Sequence, residues 1–416
     1  MKVVPVLTIL AFLAMMSVSS AATITVGKGG YSTIQEALNA SSEGDIIQLD
    51  RGIYAENLFV GKSISIAGSG NDTVIQPHIW TQPTIQIMSN NVSIEGVRII
   101  NGSTAVKVIW SENVSVKNST IEGNNRGIWL TGGARNKVIG NAFKENRVHV
   151  FFEDTMLNVI YQNKLNRGAT GISMIISGFN NITENIVESC EVCISLRNSA
   201  YNFIGGNELT NCGIGLLSEF SSWNTISGNR VNATQTFLDL TVTSNNLISA
   251  NEFEGSGVYA KNFDSLENKF MLVRVNLTGL NFEFSLMNFS LPENYVALSE
   301  AINVTIIPDI LTETGYIYME SNLTEEDVKN LSSKVDLSNI AFYRMDSGSP
   351  VRVSQGLGHA NFTSNQSGIY ILAGEKETRT DGIMPESGFS GYYFLFLLLL
   401  FIALVVTFIR KYGRKN

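Results

Sequence analysis

The sequence predicts an all-β protein whose main part is a parallel β-helix, because polar and apolar residues return at a fixed step of 22 positions. One series of asparagines sets the step: Asn136, Asn158, Asn180, Asn202, Asn224, Asn246 and Asn268. A second series follows five residues behind it: Asn141, Asn163, Asn185, Asn207, Asn229 and Asn251. A period between about 20 and 50 residues is typical of stacked units that bury their apolar sides against one another.

Each unit also repeats two apolar positions, which predict the inner wall of the tube. The two series are Val138, Ile160, Ile182, Ile204, Ile226, Ile248 and Phe270, and then Phe143, Leu165, Val187, Leu209, Val231 and Phe253. Later in the unit come short runs in which every second residue is apolar: VHVFF, GISMI, CISLR and TFLDL. Such alternation indicates strands with one buried face. We therefore expect three short strands per coil of about 22 residues, with asparagine at bends because it tolerates left-handed backbone.

The coils extend toward the amino terminus with one change of register. Asn91 and Asn113 are 22 residues apart, whereas Asn113 and Asn136 are 23 apart. This step predicts a one-residue insertion, which the turn TGGAR would accommodate. The β-helix is expected to span residues 23–275.

Two further elements are predicted before the first coil is complete. Residues 1–22 have the composition of a signal peptide, because Lys2 precedes an apolar run that ends in small residues. Ser32 and Gln35 have the spacing of a capping box, which predicts a short helix over about residues 33–39. A helix there would cover the open end of the solenoid and its unpaired strand edges.

The sequence pattern changes after residue 275. Longer alternating segments separated by Gly, Pro and Asn predict a small antiparallel β-sandwich over residues 276–375. A polar linker over residues 376–391 leads to an apolar run at residues 392–409, which predicts a single transmembrane helix. The basic tail of residues 410–416 is expected to stay in the cytoplasm, which leaves the preceding domains outside the cell.

Several segments resemble known repeats: NKVIGNAFKEN, NFIGGNELTNCGIGL and NTISGNRVNAT. They are similar to the repeats of right-handed parallel β-helix proteins of the pectin-lyase-like superfold, of the NosD-like and carbohydrate-binding-and-sugar-hydrolysis type. The resemblance covers residues 23–275 and implies a right-handed coil. It leaves the function open, because the superfold includes lyases, hydrolases, esterases, adhesins and structural spikes. The later segments AFYRMDSGSPVRV and SGIYILAG resemble β-domains of archaeal surface proteins.

The composition limits the classes of partner. The formal net charge is −8 and the basic residues are scattered, which argues against nucleic acid, since a phosphate-binding surface needs clustered Lys and Arg. Acceptor sequences for N-glycosylation are abundant, as is typical of an exported glycoprotein. Those outside the coils are the candidates for modification: Asn276, Asn288, Asn322, Asn361 and Asn365.

Cysteine and histidine give little support for a metal or any other cofactor, and we predict none. Cys190 and Cys212 are 22 residues apart, so they lie one coil apart and within disulfide range. A disulfide between them and buried free thiols are the two main alternatives. Cys193 forms a CxxC pair with Cys190, but a metal site needs a second pair of ligands. The histidines are isolated in the sequence: His78, His149 and His359.

One lateral face carries the residues that could support chemistry. Arg197 and Glu219 are 22 residues apart, as are Asp239 and Lys261, so each pair is expected to stack on neighbouring coils. Two carboxylates on such a face would suit glycosidic chemistry, with Arg197, Glu219 and Asp239 as the catalytic candidates. The simpler interpretation is a wall of mutually satisfied charges. Several aromatic residues that could stack on sugars are scattered along the chain: Trp110, Trp129, Tyr201, Trp223 and Tyr259.

The regular coil favours a structural or adhesive surface protein over an enzyme, because 22 residues leave almost no chain for the loops that wall a cleft. The expected partners are a cell-envelope polysaccharide or a surface-layer protein, with the membrane contacted through the carboxyl-terminal helix. A polysaccharide-active hydrolase or lyase is the alternative. A NosD-like accessory of metal-site maturation ranks third, because a cluster of copper ligands is missing from the sequence.

Overall fold

The computed structural model describes residues 21–254 without interruption and a set of shorter segments after them. These segments are 258–272, 275–280, 282–287, 289–307, 316–324, 339–346, 349–354 and 360–376, with residues 326, 327, 330 and 335. The signal peptide predicted at residues 1–22 lies outside the described residues except for its last two positions. The linker, the transmembrane segment at residues 392–409 and the basic tail also lie outside them. Within the part that is described, no helix has the length and apolar character needed to cross a membrane.

The first file of parallel strands runs along the whole β-helix. Its members are Thr23–Val26, Ile46–Leu49, Ser65–Ala67, Ser93–Glu95, Ser115–Lys117, Lys137–Ile139, Val159–Tyr161, Asn181–Thr183, Phe203–Gly205, Thr225–Ser227, Leu247–Ser249 and Lys269–Leu272. From Ser93 to Lys269 each strand pairs with the next at a step of 22 residues. The predicted coil length and parallel pairing are confirmed.

Two further files make up the rest of each coil and later merge. The second file contains Gly52–Ala55, Thr73–Gln76, Arg98–Ile100, Thr120–Glu122 and Ala142–Lys144, with a 3-10 turn at Gly70–Asp72. The third contains Leu58–Val60, Ile85–Ile87, Thr104–Ile109, Arg126–Thr131 and Val148–Glu153. Both continue into single 12-residue strands: Lys164–Ile175, Ile186–Arg197, Glu208–Glu219 and Arg230–Thr241. Glu252–Phe253 and Val258–Phe263 are separate again.

The inner wall follows the predicted apolar series. Ile204, Ile226 and Ile248 pair in register and each is at most 1% exposed. The second series is buried from Phe143 to Val231. Because each coil covers the apolar side chains of the coil before it, the core is one continuous column rather than a compact centre.

The asparagines of the two series are buried, apart from the half-buried Asn251, and their role differs from the expected one. Asn202 has ordinary backbone, and the left-handed residue is the one before it, Tyr201, at φ 58°. The Asn202 Oδ1 accepts the N–H of Asn180 at 3.0 Å, and its Nδ2 donates to the carbonyl of Ser177 at 3.1 Å. Asparagine is therefore selected as a buried hydrogen-bond bridge between coils, because the backbone groups at a bend lack partners within the sheets.

The predicted insertion near TGGAR is wrong. Ser115 pairs with Lys137 and Val116 with Val138, so this coil also has 22 residues. The N–H of Val114 donates to Oδ1 of Asn136, which shows that Val114 is the equivalent of Asn136 one coil earlier. Asn113 is itself left-handed, at φ 56°. Asn113 and Asn136 therefore occupy neighbouring positions of the coil rather than the same one. The apparent step of 23 arises because these two different positions were compared.

A helix at Ile34–Ala40 covers the amino-terminal coil, as predicted, although its cap lies one residue later than expected. Thr33 is the N-cap, and Thr33 with Glu36 forms the capping box. Ile34, Ala37 and Leu38 are buried against the first coils. The carboxylate of Glu56 accepts the N–H of Ile34 at 2.9 Å, which places a negative charge at the helix start.

The antiparallel strands predicted after residue 275 are present: Val275–Leu280, Phe282–Met287, Tyr295–Ala297, Ala301–Ile306, Tyr316–Ser321, Ala341–Asp346, Ser349–Arg352, Asn361–Ser364 and Gly368–Glu375. They extend the two sheets of the β-helix instead of forming layers of their own. Val275–Leu280 pairs antiparallel with Lys269–Leu272, and Phe282–Met287 with Val258–Phe263. Buried aromatic side chains join the two parts in one core: Phe237, Tyr259, Phe270, Phe282 and Phe284.

Candidate functional site

The lateral wall is the outward face of the 12-residue strands and of Val258–Phe263. Strand pairing places Arg197 opposite Glu219, and Asp239 opposite Lys261, as the spacing predicted. The guanidinium of Arg197 donates through Nε to Oε2 of Glu219 at 2.9 Å. Asp239 lies opposite Leu217, so it belongs to the neighbouring row of the wall. The structure thus joins Arg197 to Glu219 and places Asp239 beside this pair.

The carboxyl group of Asp239 is the most perturbed acid of the wall. Burial raises its pKa above the ordinary value, and the charge of Glu219 adds to the rise. The charge of Lys261 and a hydrogen bond from Thr241 act in the opposite direction without cancelling it. The charge of Glu219 therefore influences the pKa of Asp239, but that charge is already neutralised by Arg197.

A second cluster on the same face surrounds Trp129. The ammonium of Lys107 lies 3.7 Å from the ring centroid of Trp129, and the guanidinium of Arg126 lies 4.6 Å from it. The indole Nε1 donates to Oε2 of Glu153 at 3.1 Å. Burial lowers the pKa of Lys107. This cluster was not predicted from the sequence, although Lys107, Trp129 and Phe151 follow the 22-residue spacing.

The apolar corner is a surface formed by four successive turns between the third strand of one coil and the first strand of the next. Its turns are residues 176–179, 198–201, 220–223 and 242–245. Phe179, Tyr201 and Trp223 occupy the last position of successive turns, and all three are exposed. The ring centroids of Phe179 and Tyr201 are 5.0 Å apart with planes 7° from parallel, and Tyr201 and Trp223 follow at 6.3 Å and 12°. Tyr201 and Trp223 are therefore not scattered, because they belong to one stack.

The backbone of the corner is held rigidly. The first and last residues of the turns at 176–179 and 198–201 have left-handed backbone, with φ between 49° and 58°. In the first three turns the second residue is a buried serine whose hydroxyl accepts an N–H from the coil before, as Ser199 does from Ser177 at 3.1 Å. Immediately after each turn lies a buried asparagine of the first series. The exposed side chains thus project from a fixed backbone.

Of the two alternatives for the cysteines, a disulfide between Cys190 and Cys212 is wrong, because Cys212 is joined to Cys193, and a free buried thiol is found only at Cys190. Equivalent residues on stacked coils project side by side, whereas a disulfide needs Cβ atoms that converge to about 3.8 Å. Register shifts lie on both sides of Cys212 where its strand pairs with the next one. The Cα atoms of Cys193 and Cys212 are 5.8 Å apart, and Cys190 remains a buried thiol.

His149 is a buried histidine of the interior. Its Nδ1 lies 3.1 Å from the amide nitrogen of Asn146, which donates the hydrogen bond. Burial lowers the pKa of His149 to about 4, so the ring is neutral near pH 7. A Cβ atom at Gly168 would lie 2.9 Å from Nε2, which shows how closely the ring is packed. His149 is thus a core side chain, whereas His359 lies outside the described residues.

The predicted glycosylation candidates differ in exposure. Asn361 and Asn365 are exposed. Asn322 is half-buried, and its Nδ2 donates to the carbonyl of Leu272 at 3.3 Å. Asn276 pairs through its backbone with Met271, and Asn288 lies outside the described residues. Exposure therefore favours Asn361 and Asn365 as acceptors, and glycosylation itself stays a prediction.

Comparison with known proteins identifies the family. Residues 38–270 match the family model described as periplasmic copper-binding protein (NosD), which is more than half of the chain. The chain belongs to the NosD family. One relative of this NosD-family protein is a cell surface glycoprotein of Methanothermus fervidus, 36% identical over 97 residues. That match covers 22% of this chain and 16% of the relative, so most of the relative lies outside it.

Two solved structures with a similar course of the chain are an alginate lyase and a DFA-IIIase, both at low sequence identity. An alginate lyase from Paenibacillus sp. str. FPU-7 aligns with a TM-score of 0.45 and 13% identity, over 56% of the NosD-family chain and 95% of the lyase. DFA-IIIase from Arthrobacter chlorophenolicus A6 without its lid aligns with a TM-score of 0.49 and 12% identity, over 61% and 94% of the two chains. These values decide nothing about activity.

The family description implies copper, which proteins hold with Cys and Met sulfur and with His nitrogen. In this NosD-family chain His149 is packed in the core, and Cys193 and Cys212 are joined to each other. Burial raises the pKa of the Cys190 thiol to about 11, which disfavours the thiolate that binds metal. Across the described segments no group of three or more His, Cys, Asp or Glu could hold a metal ion. These residues do not fit copper.

Proposed function

We propose that the chain is an exported cell-surface protein whose β-helix acts as a structural or adhesive scaffold. The matched region of the cell surface glycoprotein supports this role. So do the signal peptide and the transmembrane helix that the sequence predicts at residues 1–22 and 392–409. Exposed acceptor sites at Asn361 and Asn365 agree with a location outside the cell.

The observation that carries the proposal is the constant coil of 22 residues from Ser93 to Lys269. A polysaccharide-active site needs walls that exclude water and orient a sugar, and such walls are built from long loops between strands. Here the coils from Ser93 to Lys269 have no spare residues from which such loops could be built. The lateral wall is accordingly an open surface on which Arg197 and Glu219 neutralise each other.

The partners that such a scaffold suits are a cell-envelope polysaccharide or a surface-layer protein. The membrane would be contacted through residues 392–409, with the basic tail inside. A rod of stacked coils rises by about 4.8 Å per coil, so the part with 22-residue coils alone reaches roughly 40 Å from end to end. The sides of the rod would therefore be accessible to a partner along this whole length.

Surface exposure is the first test. The full-length chain would be produced in an archaeal host, and intact cells would be labelled with an antibody against the β-helix. We expect labelling without permeabilisation and recovery of the chain in the membrane fraction. Labelling only after permeabilisation would contradict the proposal. Removal of residues 392–416 should release the chain into the medium if this segment is the anchor.

The enzyme alternative rests on one observation, the raised pKa of Asp239 beside Glu219. A carboxyl group with a raised pKa beside a second carboxyl group is the arrangement of a general acid with its partner. The test is to incubate the purified full-length chain with a panel of acidic and neutral polysaccharides and to measure new reducing ends and unsaturated products. Under our proposal neither appears. Product formation that is lost in Asp239→Asn and Glu219→Gln would establish the enzyme instead.

A further inference from the structure

The apolar corner lacks the charges that surround it. The four turns read ISGF, NSAY, FSSW and VTSN, sixteen residues without one charge in a chain with a formal net charge of −8. The equivalent turns on either side contain charges, at Asp154 and at Asp264. A contiguous apolar and uncharged surface on an otherwise polar protein marks an interaction site.

We infer that the apolar corner is the surface through which two copies of this chain associate side by side. The inference adds a partner to the proposed surface role. It rests on that role only in assuming that copies of the chain meet at the cell surface. Three observations carry it: the packing of the rings against each other, the area of the exposed side chains, and the absence of charge within the surface.

The packing of the rings favours a protein over a glycan. A sugar binds an aromatic residue through the face of the ring, where its C–H groups meet the π electrons. In the stack the face of Tyr201 is turned toward Phe179 on one side and Trp223 on the other, with centroids 5.0 and 6.3 Å away. The ring edges are what remains outward. A row of ring edges with aliphatic neighbours such as Ile176 is a surface for protein side chains.

The exposed area matches what a dimer needs. Nine large apolar side chains at the corner and its border are each 41–59% exposed: Met156, Leu157, Ile176, Phe179, Tyr201, Phe203, Phe220, Trp223 and Val242. At about 150–250 Å² per large side chain they present about 800 Å². A stable interface of standard size buries about 800 Å² on each partner. The corner together with these border residues thus presents about the area of one half of such an interface.

The choice of residues indicates that these side chains are retained for contact rather than for folding. A left-handed backbone costs a non-glycine residue about 1–2 kcal/mol, and asparagine tolerates it best. The last position of the turn is asparagine in an earlier coil, at Asn113, and in the fourth turn of the corner, at Asn245. In the first three turns of the corner it is Phe179, Tyr201 and Trp223, whose rings are exposed and so contribute little to the core.

A second copy fits this surface better than an unrelated partner does. Two chains that each carry a net charge of −8 repel each other, and they approach most easily where both are locally neutral. A second copy also presents side chains at the same spacing of about 4.8 Å per coil, so the ridges of one corner can enter the grooves of the other along its length. A two-fold axis would make the contact self-complementary.

The test is sedimentation velocity of the full-length chain in detergent micelles over a concentration series up to about 100 μM, which covers weak surface contacts. The double variant Phe179→Asn/Tyr201→Asn removes two adjacent rings and places asparagine at both positions. An earlier coil already has asparagine at this turn position, as Asn113. We expect the wild-type chain to dimerise and the double variant to dimerise at least tenfold more weakly. Added salt should strengthen dimerisation of the wild type, because it screens the repulsion between like-charged chains.

The matched control is Trp110→Asn. Trp110 is a 71% exposed aromatic residue with left-handed backbone on the same edge of the coil, but it lies outside the apolar corner. This control should dimerise as the wild type does. An unchanged thermal midpoint of the double variant would show that its fold is intact.

A monomeric wild type, or a double variant that dimerises normally, would overturn the inference while leaving the surface role intact. Binding of a soluble polysaccharide that the double variant loses, without a change in sedimentation, would overturn it in favour of a glycan site. As a second measurement, Ala200→Cys places a thiol within the corner. It should give a covalent dimer under mild oxidation, whereas Ser115→Cys on the outer face of the first sheet should not.

Discussion

The lateral wall and the apolar corner are built on the same 22-residue spacing, and they place opposite kinds of residues on it. On the wall, equal charges one above another would repel, so the sign changes from coil to coil, as in Arg197 with Glu219. On the corner, equal residues attract, so one aromatic ring follows another from Phe179 to Trp223. The wall is therefore satisfied within one chain, whereas the corner leaves apolar surface in water.

The comparison also shows where rigidity comes from. The wall residues lie on strands, and their exposed ion pairs contribute little, because solvent screens them. The corner residues lie on turns, which would be mobile if nothing held them. Buried serine and asparagine side chains such as Ser199 and Asn202 fix these turns, because they accept backbone N–H groups of the coil before. A regular solenoid thus makes its turns as well ordered as its strands.

The largest effect is expected where the support of the corner is removed. Asn202→Ala deletes the acceptor for Asn180 and the donor to Ser177, which leaves several buried backbone and amide groups without partners. We expect a loss of about 3–4 kcal/mol in the free energy of unfolding. Urea unfolding followed by circular dichroism would measure it. Asn198→Ala, on the exposed surface four residues earlier, should cost no more than about 1 kcal/mol.

Replacement of an exposed ring should act in the other direction. Tyr201→Asn loses two ring contacts worth about 1 kcal/mol and relieves a left-handed backbone cost of about the same size. The free energy of unfolding of the monomer should therefore stay unchanged or rise by up to about 1 kcal/mol. Thermal unfolding at low protein concentration would measure it. A loss larger than about 1 kcal/mol would show that the stack supports the fold and would remove one argument for a contact surface.

On the wall, the ion pair should contribute less than either feature of the corner. Arg197→Ala should lower the free energy of unfolding by less than about 1 kcal/mol, because both partners are partly exposed. A double-mutant cycle with Glu219→Ala isolates the coupling of the two charges. We expect the coupling to vanish at about 1 M salt, where charges are screened over about 3 Å. A coupling that persists there would mean that the pair is shielded from solvent.

The smallest effect concerns the pH dependence of stability at Asp239. Its folded pKa is raised above the ordinary value of 3.8, so the folded state binds the proton more tightly than the unfolded state does. Stability from this group is therefore highest at low pH and falls as the pH rises from 3.8 through the folded pKa. Asp239→Asn should unfold at a higher temperature than the wild type at pH 7 and at the same temperature near pH 3. A lower midpoint of the variant at pH 7 would show that the attraction of Lys261 outweighs burial.

The repeat made the architecture predictable from the sequence, because a 22-residue period fixes which residues face inward on every coil. This period predicts the column of Ile204, Ile226 and Ile248. The antiparallel strands after residue 275 follow from a different pattern, the alternation of apolar and polar residues. The reason for the asparagines did not follow. Asn113 bends the chain itself, whereas Asn136 bridges coils, and the two uses lie one residue apart.

The surfaces were predictable only in part, because spacing shows which residues stack but not how each turn is oriented. Arg197 and Glu219 were found because opposite charges suggest a pair. Tyr201 and Trp223 carry the same spacing together with Phe179, but which turn positions are exposed depends on left-handed backbone that the sequence does not display. Cys193 and Cys212 are 19 residues apart, so the 22-residue spacing did not indicate that they pair.

The way the described strands begin and end decides the direction in which copies can assemble. A helix with buried Ile34 and Leu38 covers the amino-terminal coil, and antiparallel strands replace the open parallel edge at the other end. The outermost strand of the first sheet, Asn361–Ser364, is only four residues long, which discourages the addition of another strand. Molecules closed in this way do not polymerise lengthwise into fibrils. Contacts between copies are then left to the sides of the molecule, where a two-fold contact joins them in pairs and is complete with two copies.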